Sequence, residues 1–307
     1  MRVAVVDIGT NSTRLLVADT GGGGVEELDR RSTVTRLGEG VDASGRLGEA
    51  PQQRVLAALE EYAESIESHG CEHRLAVMTS AVRDADNGAR FAATVRDRFG
   101  LDARTLSGDD EARLTYLGAT AARDRGDATP LLVVDVGGGS TELVTGARGA
   151  MDFHISTQAG VVRHTERHLH TDPPAREEME ALARDVRAVF EAAVPPEVRA
   201  RVRAAVAVAG TATSVAAIDA GIEPYDPTRV EGRVVQASRL AEISGRLAAL
   251  PLEERRAVPG LHPDRAPTII AGTILLAQVL EAFGLEQFEA SERDILWGVA
   301  IDATPES

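Results

Sequence analysis

One motif occurs twice in this chain at a constant offset, and this duplication constrains the fold more than any other feature. The apolar run VAVV at residues 3–6 leads into DIGTNSTRLLV at 7–17, and LLVV at 131–134 leads into DVGGGSTELVT at 135–145. In each copy an apolar run enters a tight turn of Gly, Ser or Asn and returns as a second apolar run, which predicts a β-hairpin. The chain is therefore expected to contain two halves built on one plan.

Helices and strands alternate in the rest of the sequence. Apolar or capping residues at helical spacing predict helices at 55–66, after Ser107, and at 177–193, 237–249 and 268–283. Strands are predicted at 74–78 and 202–208, with turns at 21–24, 146–149 and 210–214. Strands that alternate with helices indicate an α/β fold.

Two domains are expected from the length of the chain. Its 307 residues exceed the size at which a single core usually stops growing. The predicted boundary falls within 123–129, between the two motif-bearing halves. We therefore predict domains at 1–126 and 127–307, with the last helix able to pack back on the first domain.

The charge composition limits how this chain can hold an anion. The formal net charge is −15, and all 33 basic residues are arginine. Without lysine, a P-loop lysine, a Schiff base and a lysine general base are excluded. The acidic balance also argues against nucleic acid as a partner. Phosphate groups would have to be held by arginine, backbone N–H groups and a metal ion.

Three features lead us to expect a cytoplasmic protein. The N-terminus lacks the charged region, apolar stretch and cleavage site of a signal peptide. The apolar segment 268–280 is interrupted by Gly272 and Gln278 and is shorter than the roughly 20 residues of a membrane span. Cys71 is the only cysteine, which excludes an intramolecular disulfide and is typical of a reducing compartment.

The two repeated turns are candidate phosphate-binding sites. Consecutive N–H groups in a glycine-containing turn form a concave surface that binds phosphate oxygens. The turn at 137–140 fits this description, and the hydroxyl-rich segment 9–13 is its counterpart. A lone glycine-rich turn is usually only a turn. Its duplication, with an aspartate before each copy, favours the functional interpretation.

Several acidic residues are candidate metal ligands. Asp7 and Asp135 end apolar strands, where carboxylates commonly meet a ligand or metal. Glu142, on the strand after the second turn, is a further candidate, and Mg²⁺ prefers such oxygen ligands. Glu111 lies in the first turn of the helix predicted after Ser107. From its position alone, we interpret Glu111 as an acid at the start of a helix, where the helix dipole stabilises negative charge.

A histidine-rich segment raises the alternative of a second kind of metal site. His164 and His168 are four residues apart and would share a helix face, with His170 nearby. The glutamate between them is Glu166, in the third position, so the segment is not H-E-x-x-H. We interpret it as a solvated helix face.

Six motifs in order carry a family resemblance. They are DIGTNSTRLLV (7–17), TSAVRDADN (79–87), SGDDEARLTYLG (107–118), DVGGGSTEL (135–143), AGTATSVAAI (209–218) and the closing Asp264-Arg265-Ala266. Together they closely resemble exopolyphosphatases and guanosine pentaphosphate phosphohydrolases, in particular the short two-domain exopolyphosphatases. The resemblance implies the actin-like ATPase fold, in which two similar ribonuclease-H-like domains flank a phosphate-binding cleft.

The resemblance also implies roles for individual residues. Glu111 matches the proposed catalytic base, and Asp135 and Glu142 match the acids used for the metal and the attacking water. The residues expected to bind substrate phosphate are Asn11, Ser12, Thr13, Arg14, Arg36, Arg83, Gly137, Gly138, Gly139, Ser140, Gly210, Thr211 and Arg265. There are two departures: SGxEEA appears as SGDDEA, and Pro267 replaces the usual acid after Arg265-Ala266.

By this resemblance the chain is expected to be an exopolyphosphatase that uses Mg²⁺, or alternatively Mn²⁺, and forms a homodimer. Its substrate would be inorganic polyphosphate, from which water releases terminal orthophosphate. Three alternatives stay open: a guanosine pentaphosphate phosphohydrolase, a non-catalytic polyphosphate or nucleotide sensor, and a sugar kinase of the same fold. The SGDDEA motif disfavours the kinase, and retention of Glu111, Asp135 and Glu142 favours catalysis over sensing.

Overall fold

The computed structural model describes residues 1–21 and 24–304. The strands are β1 (Arg2–Ile8), β2 (Ser12–Gly21), β3 (Gly24–Val34), β4 (His73–Met78), β5 (Asp102–Thr105), β6 (Leu131–Val136), β7 (Thr141–Ala147), β8 (Ala150–Thr157), β9 (Ala204–Val208), β10 (Arg233–Gln236) and β11 (Gln287–Ala290). The helices are α1 (Val41–Ser44), α2 (Glu49–Ser68), α3 (Ser80–Asp84), α4 (Gly88–Phe99), α5 (Gly108–Thr120), α6 (Val161–His168), α7 (Arg176–Ala193), α8 (Pro196–Arg199), α9 (Ala209–Ala220), α10 (Pro227–Val230), α11 (Ala237–Ala248), α12 (Leu252–Arg255), α13 (Ile269–Phe283) and α14 (Ile295–Asp302). A short 3₁₀ turn spans Pro263–Arg265.

Five strands of each sheet follow one order. The first sheet runs β3-β2-β1-β4-β5, and the second runs β10-β11-β9-β6-β7-β8, in which the edge strand β10 is an addition that pairs antiparallel with β11. Each contains an antiparallel meander, β1 to β3 or β6 to β8, that is extended by two parallel strands, β4 and β5 or β9 and β11. The two predicted hairpins are therefore confirmed. This repeated order is the ribonuclease-H-like arrangement of the actin-like fold, which confirms the predicted fold class.

Contacts along the chain define two compact units. Unit 1 comprises Met1–Ala121 together with the chain from Arg293 onward, and unit 2 comprises Ala122–Glu292. Helix α14 therefore belongs to unit 1, although it follows unit 2 in the sequence. The domain limits at 126 and 127 stay a prediction. Residues 305–307 of the predicted second domain, and residues 22 and 23 of the turn predicted at 21–24, lie outside the described residues.

Alternate residues of β1 bury the two faces of the first sheet, as expected when successive side chains point to opposite sides. Ala4, Val6 and Ile8 pack in a cluster with residues of α2 and α4. Val3 and Val5 belong to a different cluster, formed with residues of α5 and α14. By the same alternation, Asp7 projects to the face that α5 and α14 cover.

Two glycines allow α5 and α14 to touch backbone to backbone. A Cβ atom on Gly118 would lie 1.9 Å from the carbonyl oxygen of Asp294, and one on Gly298 would lie 1.8 Å from that of Leu114. No side chain fits at either position, so glycine is required for this approach. The crossing fixes the start of α14 against α5.

Unit 2 builds its main core on one face of the second sheet. Leu132, Val134 and Val136 of β6 pack in a cluster with apolar residues of α6, α7, α9, α11 and α13. Asp135 lies between them in sequence, so its side chain points to the other face. The polar end of β6 is thus separated from the main core by the sheet itself.

Most predicted elements are confirmed, and one is wrong. The helices predicted at 55–66, 177–193, 237–249 and 268–283 correspond to α2, α7, α11 and α13, and Ser107 caps α5 by accepting a hydrogen bond from the Asp110 N–H. The segment 210–214, predicted as a turn, is instead the start of α9. It is buried on nearly all sides, so tertiary packing outweighs its turn-like composition. Among the described residues no helix is long and apolar enough to span a bilayer.

Candidate active site

In unit 1 an arginine joins two buried carboxylates. Asp7 and Arg14 face each other across β1 and β2, and Arg14 Nη2 lies 2.6 Å from Asp7 Oδ2. Arg14 Nη1 donates to Asp294, which also caps α14 by accepting from the Leu296 N–H. Burial raises the pKa of Asp7, and Arg14 opposes that shift. Asp7 Oδ1 is buried and makes no hydrogen bond in the described part of the chain.

Glu111 lies close to this cluster and is buried. Its side chain accepts a hydrogen bond of 2.8 Å from Arg83 Nη1, which also donates to the carbonyl of Leu106. The pKa of Glu111 is raised to about 7. Burial is the main cause, the charge of Asp7 adds to it, and Arg83 opposes both. A carboxyl group with such a pKa is suited to exchange a proton at neutral pH. Glu111 lies in the first turn of α5, as the sequence predicted, and its burial distinguishes it from the exposed acids Asp109 and Asp110 in that turn.

The first repeated turn is tied to neighbouring loops through its carbonyl groups. The carbonyl of Asn11 accepts hydrogen bonds from the N–H groups of Thr35 and Arg36, and the carbonyl of Thr10 accepts one from Gly38. The N–H groups of Thr10 and Asn11 donate to no protein oxygen within the described residues. Such N–H groups form the type of concave surface that holds phosphate.

Arg36 has a positive φ of 49°, an uncommon conformation for a residue with a side chain. The Thr10 hydroxyl also pairs with that of Ser80 at 2.8 Å, at the start of α3. Strained backbone of this kind is concentrated at functional sites. It supports the assignment of this turn as part of a binding surface.

In unit 2 the position equivalent to Arg14 is an acid. Asp135 and Glu142 face each other across β6 and β7. Residues directly opposite in an antiparallel pair have Cβ atoms about 4.5–5.5 Å apart, and like charges there are unfavourable. Both residues are buried, with relative exposures of 7% and 1%. Glu142 Oε1 accepts a hydrogen bond of 2.8 Å from the Ser156 hydroxyl, which fixes its position.

The second repeated turn is held by the first turn of α6. The N–H groups of Val161 and Val162 donate to the carbonyls of Gly137 and Gly138 at 2.9 and 2.8 Å. A Cβ atom on Gly160 would lie 2.3 Å from the backbone of Gly139, so this contact requires glycine. The N–H groups of Gly138 and Gly139 donate to no protein oxygen in the part of the chain described. The turn is thus fixed with two donors available for an anion.

The N-terminus of α9 begins beside Asp135 in the sheet, because Val208 pairs with Asp135. Ala209, its first residue, has a φ of 63°, the second strained non-glycine position near these turns. Arg265 Nη1 donates to the Gly210 carbonyl and to the Ser214 hydroxyl, at 3.1 and 3.2 Å. A helix N-terminus with an arginine side chain bound to its first turn is suited to hold an anion.

A divalent cation fits Asp135 and Glu142 better than Asp7. Two buried carboxylates placed opposite each other supply the hard oxygen ligands that Mg²⁺ prefers, and a cation offsets their repulsion. Asp7 offers a different environment, since its Oδ2 already pairs with Arg14. The predicted metal ligands therefore lie in two chemically distinct surroundings.

The structure places the predicted site residues in two sets. Unit 1 carries Asp7, Asn11, Ser12, Thr13, Arg14, Arg36, Arg83 and Glu111, and unit 2 carries Asp135, Gly137, Gly138, Gly139, Ser140, Glu142, Gly210, Thr211 and Arg265. Thr13 is fully buried and its hydroxyl pairs with that of Thr35.

Sequence reasoning missed Asp294 and Ser80. An N-cap signal before the apolar run of α14 could have located Asp294 as a helix start, although not as a partner of Arg14.

This strand order, with an aspartate and a tight turn after the first strand of each sheet, defines the class as an α/β protein of the actin-like fold. Residues 16–306 match the Ppx/GppA phosphatase family, and the chain belongs to that family. The predicted family is thereby confirmed.

Similar proteins agree with this assignment. Exopolyphosphatase 2 of Mycobacterium tuberculosis is 37% identical over 98% of both chains. A solved structure described as an exopolyphosphatase-like protein matches with a TM-score of 0.91 and 32% identity, again over 98% of both chains. The Aquifex aeolicus member of the family matches with a TM-score of 0.81 and 31% identity, over 98% of this chain and 97% of that one.

Proposed function

We propose that this chain is an exopolyphosphatase that releases orthophosphate from the end of inorganic polyphosphate. The observation that carries the proposal is the pair of buried carboxylates, Asp135 and Glu142, at the edge of a glycine turn with two available N–H donors. The similarity to an exopolyphosphatase along almost the whole chain supports the choice of substrate. Polyphosphate also suits a chain that has arginines and backbone donors but no lysine.

The proposal assigns one chemical task to each unit. In unit 1, Glu111 accepts a proton from the attacking water, and Arg83 orients its carboxylate through the 2.8 Å hydrogen bond. In unit 2, the turn at 137–140, the N-terminus of α9 and Arg265 bind phosphate oxygens. The water oxygen forms a bond to the terminal phosphorus as the bridging P–O bond breaks. The products are orthophosphate and a chain one phosphate shorter.

Asp135 and Glu142 would hold the divalent ion, for which we propose Mg²⁺, with Mn²⁺ as the alternative. When bound, such an ion neutralises charge that develops on the transferred phosphoryl group. The acidic composition of the chain makes this contribution important, since its net charge of −15 otherwise opposes a polyanion. Turnover that persists after metal removal and in excess chelator would contradict this part of the proposal.

The decisive experiment compares phosphate release from short polyphosphate, long polyphosphate and guanosine pentaphosphate with one preparation. Wild-type chain should release phosphate from polyphosphate at the higher rate. Faster release from guanosine pentaphosphate would favour the alternative phosphohydrolase, and binding of polyphosphate without release would establish the sensor alternative.

Glu111→Gln is the matching variant, because it keeps the shape of the side chain and removes its basicity. We expect a folded protein that binds polyphosphate and has lost roughly 10²- to 10⁴-fold in turnover. Asp109→Asn, which neutralises an exposed acid in the same helical turn, is the control and should keep full activity. A Glu111→Gln variant that retains more than about a tenth of wild-type turnover would remove Glu111 from the mechanism.

Two further expectations belong to this proposal. We propose a cytoplasmic location, supported by Cys71 as a buried free cysteine, which is typical of a reducing compartment. A homodimer remains a prediction from the family resemblance. Sedimentation velocity at two protein concentrations would test it, and a single species with the mass of one chain would reject it.

A further inference from the structure

Two histidines and an aspartate form a compact cluster in unit 2, away from the turn at 137–140. His164 and His168 lie one turn apart on α6, and Asp185 lies on the neighbouring helix α7. Asp185 Oδ2 is 3.5 Å from His164 Nε2 and 2.9 Å from His168 Nε2. The interpretation of this segment as a solvated helix face is wrong for His164, which is completely buried.

The buried Nε2 of His164 makes this cluster unusual. Nδ1 of the same ring is placed to accept a hydrogen bond of 3.3 Å from the Gly160 N–H or, when protonated, to donate one of 3.1 Å to the Gly160 carbonyl. In the second arrangement Nε2 carries the lone pair of the ring. Nε2 is buried and makes no hydrogen bond in the described part of the chain. In the tautomer with Nδ1 protonated, the Nε2 lone pair points at a carboxylate oxygen of Asp185.

A cation at this point satisfies the buried nitrogen. A transition-metal ion uses the Nε2 lone pair and the carboxylate oxygen as ligands. The hydrogen bond from Nδ1–H to a backbone carbonyl is also the usual outer contact of a metal-binding histidine, because it fixes the tautomer and the ring orientation.

One of the two measured separations matches tetrahedral zinc. With Zn–N and Zn–O bonds of about 2.0–2.2 Å, two ligand atoms of a tetrahedron lie about 3.3–3.6 Å apart. Asp185 Oδ2 lies 3.5 Å from His164 Nε2, within this range, whereas its 2.9 Å separation from His168 Nε2 is a hydrogen bond that has to lengthen when zinc binds. All three ligand atoms lie within 4.8 Å of one another. His168 and Asp185 are partly exposed, so solvent can supply the fourth ligand.

We propose that His164, His168 and Asp185 form a zinc site that ties α6 to α7. This site is separate in chemistry from Asp135 and Glu142, because imidazole nitrogens favour zinc over magnesium. It also has a structural consequence. The first turn of α6 holds the turn at 137–140 through the N–H groups of Val161 and Val162. A metal that fixes α6 would therefore stabilise the position of that turn.

The test is a zinc titration of the metal-stripped full chain against a chromogenic chelator, in excess Mg²⁺. We expect one Zn²⁺ per chain for the wild type. His168→Gln and Asp185→Asn, which alter the partly exposed ligands and leave the buried His164 in place, should each weaken zinc binding at least tenfold. His170→Gln is the matched control, since this exposed histidine lies two residues beyond the cluster, and it should bind zinc like the wild type.

A second readout makes the outcome independent of catalysis. Co²⁺ bound to the wild type should give the visible absorption of a tetrahedral site, and this signal should be lost in His168→Gln. Glu142→Gln should keep both the cobalt spectrum and the zinc stoichiometry, because it changes only the proposed magnesium ligands. Zinc binding that is equal in wild type, His168→Gln and Asp185→Asn would overturn the proposal, as would zinc binding that Glu142→Gln abolishes.

Discussion

The two repeated hairpins differ at one position, and that difference separates their chemistry. In unit 1 the residue opposite Asp7 is Arg14, and the two form an ion pair with 2.6 Å between Nη2 and Oδ2. In unit 2 the residue opposite Asp135 is Glu142. The same backbone register thus holds a neutralised pair in one unit and two acids in the other.

This comparison shows how a duplicated scaffold can specialise. An internal arginine pairs with Oδ2 of the first aspartate, so the charge of that residue is offset within the protein. The second hairpin keeps two buried acids, and under the proposed function a bound cation would offset their repulsion. On this proposal, unit 1 balances the charge of its aspartate with an arginine, whereas unit 2 depends on a ligand for that balance.

The largest expected effect comes from Asp135→Asn. Removing one of the two opposed acids should lower turnover roughly 10²- to 10³-fold, because the proposed metal loses a ligand and with it charge stabilisation. In excess chelator the same variant should melt at a higher temperature than the wild type, since the repulsion with Glu142 is gone. Steady-state phosphate release and thermal melts measure the two effects. Unchanged turnover, or a lower melting temperature in chelator, would contradict the comparison.

The pH dependence of kcat/KM should reflect the ionisation of Glu111 in unit 1. Because its pKa is about 7, we expect kcat/KM to fall about tenfold for each pH unit below 7, through loss of the basic form. The same midpoint in the plot of kcat/KM against pH should be seen in the residual activity of Asp135→Asn. It should be absent from the residual activity of Glu111→Gln. A pH profile that is flat between 5 and 8, with polyphosphate binding checked at each pH, would count against Glu111 as the base.

The raised pKa of Glu111 also predicts the direction in which the stability of the fold changes with pH. The folded pKa of Glu111 lies above its ordinary value of 4.5, so its contribution to stability is present below that value and is lost as pH rises through about 7. Glu111→Gln should therefore gain melting temperature relative to the wild type on going from pH 5 to pH 8. An advantage that shrinks with rising pH would give the opposite sign and reject the burial argument.

A smaller effect is expected when the neutralised pair of unit 1 is broken. Asp7→Asn should destabilise the chain by about 1–3 kcal/mol, because Arg14 loses a buried charged partner but keeps Asp294. Its melting temperature in chelator should fall, whereas that of Asp135→Asn should rise. Equal shifts in both variants would show that the two hairpins do not differ in charge balance.

The smallest effects on turnover are expected from replacing one arginine in each unit, Arg83 in unit 1 and Arg265 in unit 2. Arg265 contacts a carbonyl and a hydroxyl and is proposed to hold substrate away from the bond that breaks, whereas Arg83 contacts Glu111. Arg265→Ala should therefore raise KM several-fold and change kcat less, while Arg83→Ala should mainly lower kcat. Steady-state kinetics on short polyphosphate separates the two outcomes. A pure kcat defect in Arg265→Ala would assign it a different role.

The sequence predicted those features that depend on short-range pattern. Both hairpins, the cap at Ser107 and the aspartates at the ends of β1 and β6 follow from local spacing, and each is present. The burial of Glu111 could not be predicted from its position in a first helical turn, since it depends on tertiary contacts such as the hydrogen bond from Arg83, 28 positions away in the sequence. The contact of Arg14 with Asp294 joins residues 280 positions apart, and no local pattern encodes it.

Helix α14 also sets the order in which the chain can be completed during translation. The apolar face formed by Val3, Val5 and Leu16 is synthesised before unit 2, but the helix that covers it is synthesised after unit 2. Unit 2 is continuous in sequence and can close its core earlier. A nascent chain that stops at Glu292 therefore carries a finished second unit and a first unit with an uncovered face, which makes that stage a natural point for chaperone binding.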